Sequence, residues 1–318
     1  MSDPQSIVVR AYAKINLALS VAAAEPAEVG GRPHPLAGYH RLASWMAMID
    51  LHDRVEVVAR PAGMPSEYRV VWDAEAPKPT PIDWPATSDL SARAHRALES
   101  LVGRELPVKV LVSKRVPVGA GMGGGSSDAA ATMRGVCKAH GLKLDDAALR
   151  SVAKGLGSDV PFFLGPSPAA VIEGFGEVVT PTLPVGGRLI AVVPPVACPT
   201  PSVYKAFDRL GVAKSEPESE RVRALASSGV LDPMQLFNDL QGAAMEVAPS
   251  LAGVVRALEE ASGSRVMLTG SGSAMLVFAG DNPAMTLTRI ERARSGGDAR
   301  LAGCVAVMCR LLGEGENA

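Results

Sequence analysis

The chain has 318 residues, 47% of them hydrophobic, with 32 Lys and Arg against 33 Asp and Glu and a net charge of -1. That length predicts two domains, and the near-neutral balance gives no reason to expect a nucleic-acid or membrane partner, so a polyanionic ligand would have to be met by local cations. No apolar run reaches the ~18 residues of a transmembrane helix, Met1 to Gln5 show no signal peptide, and four cysteines without C-x-x-C spacing read as reduced thiols of a cytoplasmic protein.

Ser6 to Val21 alternates and is β-branched at its start, which predicts one or two strands. Lys14 and Asn16 are polar islands in it, two residues apart and so on one face. On this stretch alone, Lys14 fits a solvated strand face as well as a buried site. Ala22 to Leu36, rich in Pro, Gly and Ala, reads as a loop. Gly38-Tyr39-His40 fits either a turn-packing pair or the lining of a pocket for an aromatic base. Leu42 to Met48 and Asp53 to Val58 predict two strands and Glu67 to Trp72 another. The Pro-rich stretch Ala74 to Thr87 reads as an exposed excursion. Ser88-Asp89-Leu90 is an N-cap signal for a helix running to Val102.

Leu106 to Val112 predicts a strand leading into Pro117-Val118-Gly119-Ala120-Gly121-Met122-Gly123-Gly124-Gly125-Ser126-Ser127-Asp128, with a helix from Ala129 to Cys137 behind it. Glycines let backbone N–H groups converge on one point, and a helix N-terminus adds partial positive charge; both suit a phosphate. A Walker A loop needs lysine where Gly125 stands. Gly119 to Gly124 fits G-x-G-x-x-G, but a dinucleotide fold would continue into a strand ending in an acid, whereas Leu142 to Ala147 opens another helix. The stretch therefore reads as a nucleotide phosphate site of neither type, with a flexible linker as the alternative. Lys114 and Arg115 on its approach are either solvated strand-end charges or phosphate partners.

Asp145 to Lys154 predicts a helix stopped by Gly155 and Gly157. In Gly157-Ser158-Asp159-Val160-Pro161-Phe162-Phe163, the acid is either a helix N-cap or a carboxylate tuned by burial and a lysine partner. Gly165 to Pro168 marks the expected boundary between a domain of residues 1–168 and one of residues 169–318. The second carries a short hairpin over 170–179, a strand from Arg188 to Val193 and a helix near Val203 to Leu210. A polar, mobile stretch from Val212 to Asp232 follows, then a helix from Leu251 to Ala261. Arg265 to Phe278 reads as a hairpin tipped by Gly270-Ser271-Gly272, Pro283 to Ala293 as a helix and Cys304 to Met308 as a strand. This alternation predicts an α+β fold.

Lys14, the glycine-serine loop, Gly157-Ser158-Asp159 and Thr269-Gly270-Ser271-Gly272-Ser273 occur in an order that resembles the superfamily of galactokinase, homoserine kinase, mevalonate kinase and phosphomevalonate kinase. Within it, Ala13-Lys14-Ile15-Asn16-Leu17, Gly38-Tyr39-His40, Lys114-Arg115-Val116-Pro117, Ser158-Asp159-Val160-Pro161-Phe162-Phe163 and Asn238-Asp239-Leu240 are similar to the 4-diphosphocytidyl-2-C-methyl-D-erythritol kinases. The resemblance implies a two-domain small-molecule kinase with its active site in the interdomain cleft, using ATP and Mg²⁺. It implies Lys14 and Asp159 as the catalytic pair. Residues Pro117 to Ser127 and Lys114 would bind ATP, and Ser126 or Ser127 would be the metal's hydroxyl ligand. Asn16, Tyr39, His40, Tyr204, Gly270, Ser271 and Gly272 would face the alcohol substrate, in a monomer or homodimer. Departures from the family pattern are Ala120, Arg41, Asp128, Gln241 and the long stretch from Ala22 to Leu36. The competing readings are a homoserine- or mevalonate-type kinase, or a non-catalytic ATP- or sugar-binding regulator.

Overall fold

The computed structural model describes residues 6–280 and 282–316; the N-terminal segment on which the signal-peptide reading rests, Met1 to Gln5, lies outside them. In chain order the elements are β1 (Ile7–Ala24), β2 (Glu28–Val29), β3 (Arg32–Pro33), β4 (His40–Ala59), β5 (Glu67–Trp72), α1 (Leu90–Val102), β6 (Val108–Lys114), α2 (Gly124–Ala139), α3 (Asp146–Lys154) and α4 (Val160–Phe163). They continue as β7 (Ala169–Gly174), β8 (Val178–Pro181), β9 (Arg188–Val193), α5 (Thr200–Leu210), α6 (Ser219–Ser227), β10 (Phe237–Asn238), α7 (Gln241–Val247), α8 (Ser250–Ser262), β11 (Val266–Leu268), β12 (Met275–Val277), α9 (Pro283–Ser295) and β13 (Val305–Arg310). The mixture is α+β, as the sequence pattern predicts. Among the described residues no helix is long and apolar enough to cross a membrane.

Two sheets organise the chain. The larger has the order β10-β1-β4-β6-β5, with β7 added to β4 and β8 to β7; the smaller has the order β11-β12-β9-β13. Where two strands were expected, β4 is one of 20 residues. Its polar middle does not break it because β1 pairs with it along its length, β7 holds its first part and β6 its last. The mismatch is absorbed instead as a register shift between Tyr12 and Ala13; a second falls between Asn16 and Ala18, so Lys14 and Asn16 lie between two irregularities that re-aim the strand.

The hairpin β7–β8, assigned by its sequence position to the second domain, hydrogen-bonds to β4 of the larger sheet. The division at 168/169 thus does not fall between sheets. The stretch Val212 to Asp232 also differs from expectation: it contains α6, which buries Val222 and Ala226.

Helices α1 and α2 cover one face of the larger sheet over Val55, Val57, Val110 and Val112. Close approach of α2 depends on Gly135, where a Cβ would stand 2.7 Å from Val57 Cγ2. Helices α5, α7, α8 and α9 cover the smaller sheet. A third apolar cluster joins the two sheets through Ile15, Leu17, Trp45, Leu189, Ala191 and Leu276, and it includes Ala120 and Met122 of the glycine loop. That loop is therefore anchored by buried side chains on alternate residues while its glycines stay free to bend.

Candidate active site

Gly119, Gly121 and Gly123 have φ of 70°, 77° and 70°, whereas among the described residues none other than glycine has positive φ. The left-handed glycines alternate with Ala120 and Met122, which point into the core; Ala120 accordingly needs no glycine. The loop ends in α2, whose N-cap position is Gly123 without a side-chain cap. The first-turn N–H groups of that helix have no intrahelical acceptor and form a donor cluster suited to an anion. Ser127 Oγ, 2% exposed, donates to the Gly124 carbonyl at 3.0 Å. Of the two serines, Ser126 alone keeps an available hydroxyl, near Gly157.

The second glycine turn packs against the first, backbone on backbone. A Cβ at Gly121 would lie 2.7 Å from both Gly272 Cα and the Thr269 carbonyl oxygen, and one at Gly272 would overlap Ala120. Ala274 N donates to Ala120 O at 3.2 Å and seals the junction. Asn238 Nδ2 donates to the carbonyls of Leu268 and Gly270, both at 2.9 Å, and so shapes the turn from behind.

Lys14 sits at this junction. Its backbone N–H donates to Met122 O at 2.9 Å, which ties β1 to the glycine loop. Its side chain is 5% exposed; Nζ donates to Asn16 Oδ1 at 2.7 Å and lies 3.5 Å from Asp159 Oδ2. Asn16 is fixed in turn: its Nδ2 donates to Ser44 Oγ at 2.8 Å and its backbone N–H to Thr269 Oγ1 at 2.8 Å. Sequence position thus brings Lys14, Asn16 and the glycine turns together as expected. Ser44 was missed, being an ordinary strand residue whose partner is 28 positions away, and Thr269, quoted only as part of the second glycine turn, meets Asn16 from 253 positions away. Asp159 occupies the N-cap position of α4 but makes no capping hydrogen bond, so its carboxylate is left to face Lys14.

Lys114 takes a different place from the one expected. Its ammonium, 4% exposed, is held beneath the loop between Asp53 and Asp128, at 2.6 Å from Asp128 Oδ2. The two carboxylates outweigh burial, which alone would lower the ammonium, and raise its pKa. Asp53 also accepts from the backbone N–H groups of Arg115 and Val116. Asp128 is pushed up by burial despite Lys114, and Asp53 adds to the rise. Lys114 is therefore a support under the glycine loop, and its charge is met inside the protein.

Beside the Asp159 loop opens a cavity of about 720 Å³, lined by Tyr39, His40, Gly157, Ser158, Thr200 and Tyr204 among others. His40 is buried; its Nδ1 donates to Ala22 O at 2.9 Å, its Nε2 lies 3.6 Å from Asp208, and its ring meets Tyr204 at 4.8 Å between centroids. Burial, then the charge of Asp159, pushes the Tyr204 phenol up to about 12, so it stays neutral. Tyr39 is 62% exposed at the rim. Thr200, unnoticed in the sequence, shares a 2.7 Å hydrogen bond with Ser271 and links this cavity to the second glycine turn. Arg41 bonds Glu25 at 2.7 Å and Glu216 at 2.6 Å, fastening the 25–39 excursion to the segment before α6. Gln241 Oε1 accepts from Leu268 N at 3.0 Å.

Known proteins share this fold. Residues 89–165 match the model of the GHMP kinases N terminal domain. A 4-diphosphocytidyl-2-C-methyl-D-erythritol kinase of Symbiobacterium thermophilum is 32% identical over 280 residues, 87% of this chain and 92% of that protein. One from Anaeromyxobacter dehalogenans is 34% identical over 308 residues, 96% and 91% of the two chains. The crystal structure of a 4-(cytidine 5'-diphospho)-2C-methyl-D-erythritol kinase superposes with a TM-score of 0.69 at 29% identity, covering 96% of this chain and all of that one. The mevalonate kinase of L. major, in complex with R-mevalonate, shares the fold at a TM-score of 0.64 and 15% identity over 98% of this chain and 99% of its own.

Proposed function

The chain belongs to the family of 4-diphosphocytidyl-2-C-methyl-D-erythritol kinases, and from that premise we propose that it transfers the γ-phosphoryl group of ATP to the 2-hydroxyl of 4-diphosphocytidyl-2-C-methyl-D-erythritol. The observation that carries the catalytic part of this reading is the pair Lys14–Asp159, 3.5 Å apart, between two interlocked glycine turns and an adjoining cavity. Phosphoryl transfer asks chiefly for positioning and charge neutralisation, which rigid donors and a fixed ion pair provide.

In this reading the backbone N–H groups from Val118 to Ser127 hold the ATP phosphates, without Lys114. Asp159 accepts the proton of the substrate hydroxyl as that oxygen bonds to phosphorus. Lys14 pairs with Asp159 and polarises the same hydroxyl, and Asn16 fixes the ammonium by accepting one of its hydrogens. The 270–272 turn closes over the reacting groups. The cavity takes the cytidine end, with Tyr204 supplying an aromatic wall and His40 hydrogen-bond direction.

Mg²⁺ would neutralise the β- and γ-phosphate oxygens. Among the described residues no group of three or more His, Cys, Asp or Glu is arranged to hold a metal, so a site built from phosphates and one hydroxyl fits this chain. Ser126 suits that role; Ser127, turned into its own helix, does not. A cytoplasmic location belongs to this reading, and the four free cysteines accord with it.

The test is coupled ADP release with ATP, Mg²⁺ and 4-diphosphocytidyl-2-C-methyl-D-erythritol on the wild type and on Asp159→Asn. Robust wild-type turnover is expected, with kcat lowered about 10²–10⁴-fold in the variant. Turnover by the variant at the wild-type rate removes Asp159 from the chemistry. A folded, ATP-binding wild type that phosphorylates mevalonate or homoserine instead overturns the substrate.

A further inference from the structure

The β7–β8 hairpin ends in Gly174-Phe175-Gly176-Glu177, a tip that touches the segment carrying Asp159. Gly176 is buried with φ of 106°, and a Cβ there would stand 2.7 Å from Ser158 Cβ and 2.9 Å from the Ser158 carbonyl oxygen. The backbone of the tip therefore rests directly on the residue before Asp159. The tip holds its shape through Glu177, whose Oε2 accepts from Phe175 N at 2.7 Å. The carboxylate folds over Gly174, φ 71°, where a Cβ would lie 2.5 Å from Glu177 Oε1. Phe175, Gly176 and Glu177 also line the 720 Å³ cavity.

Asp159 needs such a support. It makes no capping hydrogen bond in the four-residue α4, and the turn before it is closed by one 3.2 Å bond, Val160 N to Gly157 O. The hairpin behind the tip is anchored on β4, where Leu42–Ala47 pairs with Ala169–Gly174. The opposite edge of β4 pairs with β1, with Met48 and Met46 beside Lys14 and Asn16. One strand thus holds Lys14 on one edge and, through the hairpin tip, braces Asp159 on the other.

We propose that Gly176 and Glu177 are positioning residues for the Asp159 carboxylate, and that the β7–β8 tip sets the Lys14–Asp159 spacing. The inference rests on Asp159 being the base. A displacement of about 1 Å at a reacting group can cost on the order of 10²-fold in rate. Glu177→Ala frees the Phe175 N–H and loosens the tip. Glu177→Gln keeps a carbonyl oxygen for that N–H and preserves it. Gly176→Ala pushes on Ser158, and Ser158→Gly removes one of the atoms pushed against.

The experiment measures kcat and both KM values for Asp159→Asn, Glu177→Ala, Glu177→Gln, Gly176→Ala and Gly176→Ala with Ser158→Gly, with folding checked by urea midpoints. Glu177→Ala is expected to lower kcat at least tenfold with the KM for ATP within twofold of wild type, and Glu177→Gln to restore most of that rate. Gly176→Ala is expected to lose about 10²-fold in kcat, with part recovered by Ser158→Gly. If Gly176→Ala fails to fold, the Glu177 pair decides. Glu177→Ala with kcat within twofold of wild type, or an equal loss in Ala and Gln, overturns the proposal while an inactive Asp159→Asn leaves the base in place. An active Asp159→Asn removes the base and the proposal together.

Discussion

Replacing Lys114 by methionine separates a support from a ligand. The side chain is 4% exposed and its ammonium lies between two carboxylates, Asp53 and Asp128, that are 0% and 1% exposed. Methionine fills nearly the same volume, so the loss is electrostatic. It strands two buried acids where one cation had balanced them, and removing one partner from such a pair costs about 3–5 kcal/mol. Asp53 keeps the N–H groups of Arg115 and Val116, whereas Asp128 Oδ1 has no hydrogen-bond partner even with the lysine present. Adding Asp128→Asn should therefore recover at least half of the loss, because the group left without compensation becomes neutral. Urea unfolding gives the stabilities, and ATP titration of each folded variant gives the affinity. Expected are a midpoint shift equivalent to about 3–5 kcal/mol, partial rescue in the double variant and an ATP Kd within threefold of wild type. Lys114→Met at wild-type stability with ATP bound tenfold more weakly would refute this and return Lys114 to the nucleotide.

Other positions offer separate tests. Tyr204→Ala should raise the KM for the cytidyl substrate about tenfold or more while leaving the KM for ATP unchanged, because it opens one wall of the cavity and leaves the glycine turns alone; steady-state kinetics in each substrate checks it. Gly272→Ala should abolish turnover or folding, since its Cβ would overlap Ala120, whereas Gly242→Ala, with nothing within 4 Å of its Cβ, should be silent in the same assay. His95 is fully buried, with Nε2 donating to Leu106 O at 2.8 Å and Nδ1 accepting from Tyr68 at 2.7 Å, so the neutral ring is built in and burial lowers its pKa. The unfolded chain then binds the extra proton first. The contribution of His95 to stability is complete above the unfolded pKa of about 6.5 and is lost as pH falls from there through the folded value. Urea midpoints between pH 7.5 and 5 should show that slope, and His95→Gln should flatten it.

What the sequence discloses here is what lies within a few residues of its cause. The glycine loop was legible because its bends, its strand and its helix are local, and Lys14 with Asn16 because strand parity puts them on one face. Ser126 and Ser127 could not be told apart by type. Helical phase decides, turning Ser127 toward the carbonyl three residues back. Lys114 was misread because its partners are 61 and 14 positions away, and nothing local distinguishes a cation facing phosphate from one facing two buried acids. That the hairpin at 169–181 joins the larger sheet could not be read for the same reason: turn chemistry marks where a chain bends, and sheet membership depends on which edge is free. Gly121 and Gly272 make the limit sharpest. Each looks like an ordinary turn glycine, and what demands it is the other turn's backbone, 2.7 Å from where a Cβ of Gly121 would be and nearer still to one at Gly272. A close approach is a property of a pair, so one sequence shows both members and leaves the pairing to the fold. The Lys14–Asp159 contact is of that kind, and so is the contact of Gly176 with Ser158. On the proposed reading, the geometry around Lys14 and Asp159 depends on backbone contacts between distant turns, and substitutions that add one carbon at those turns should harm turnover more than most that remove a surface charge.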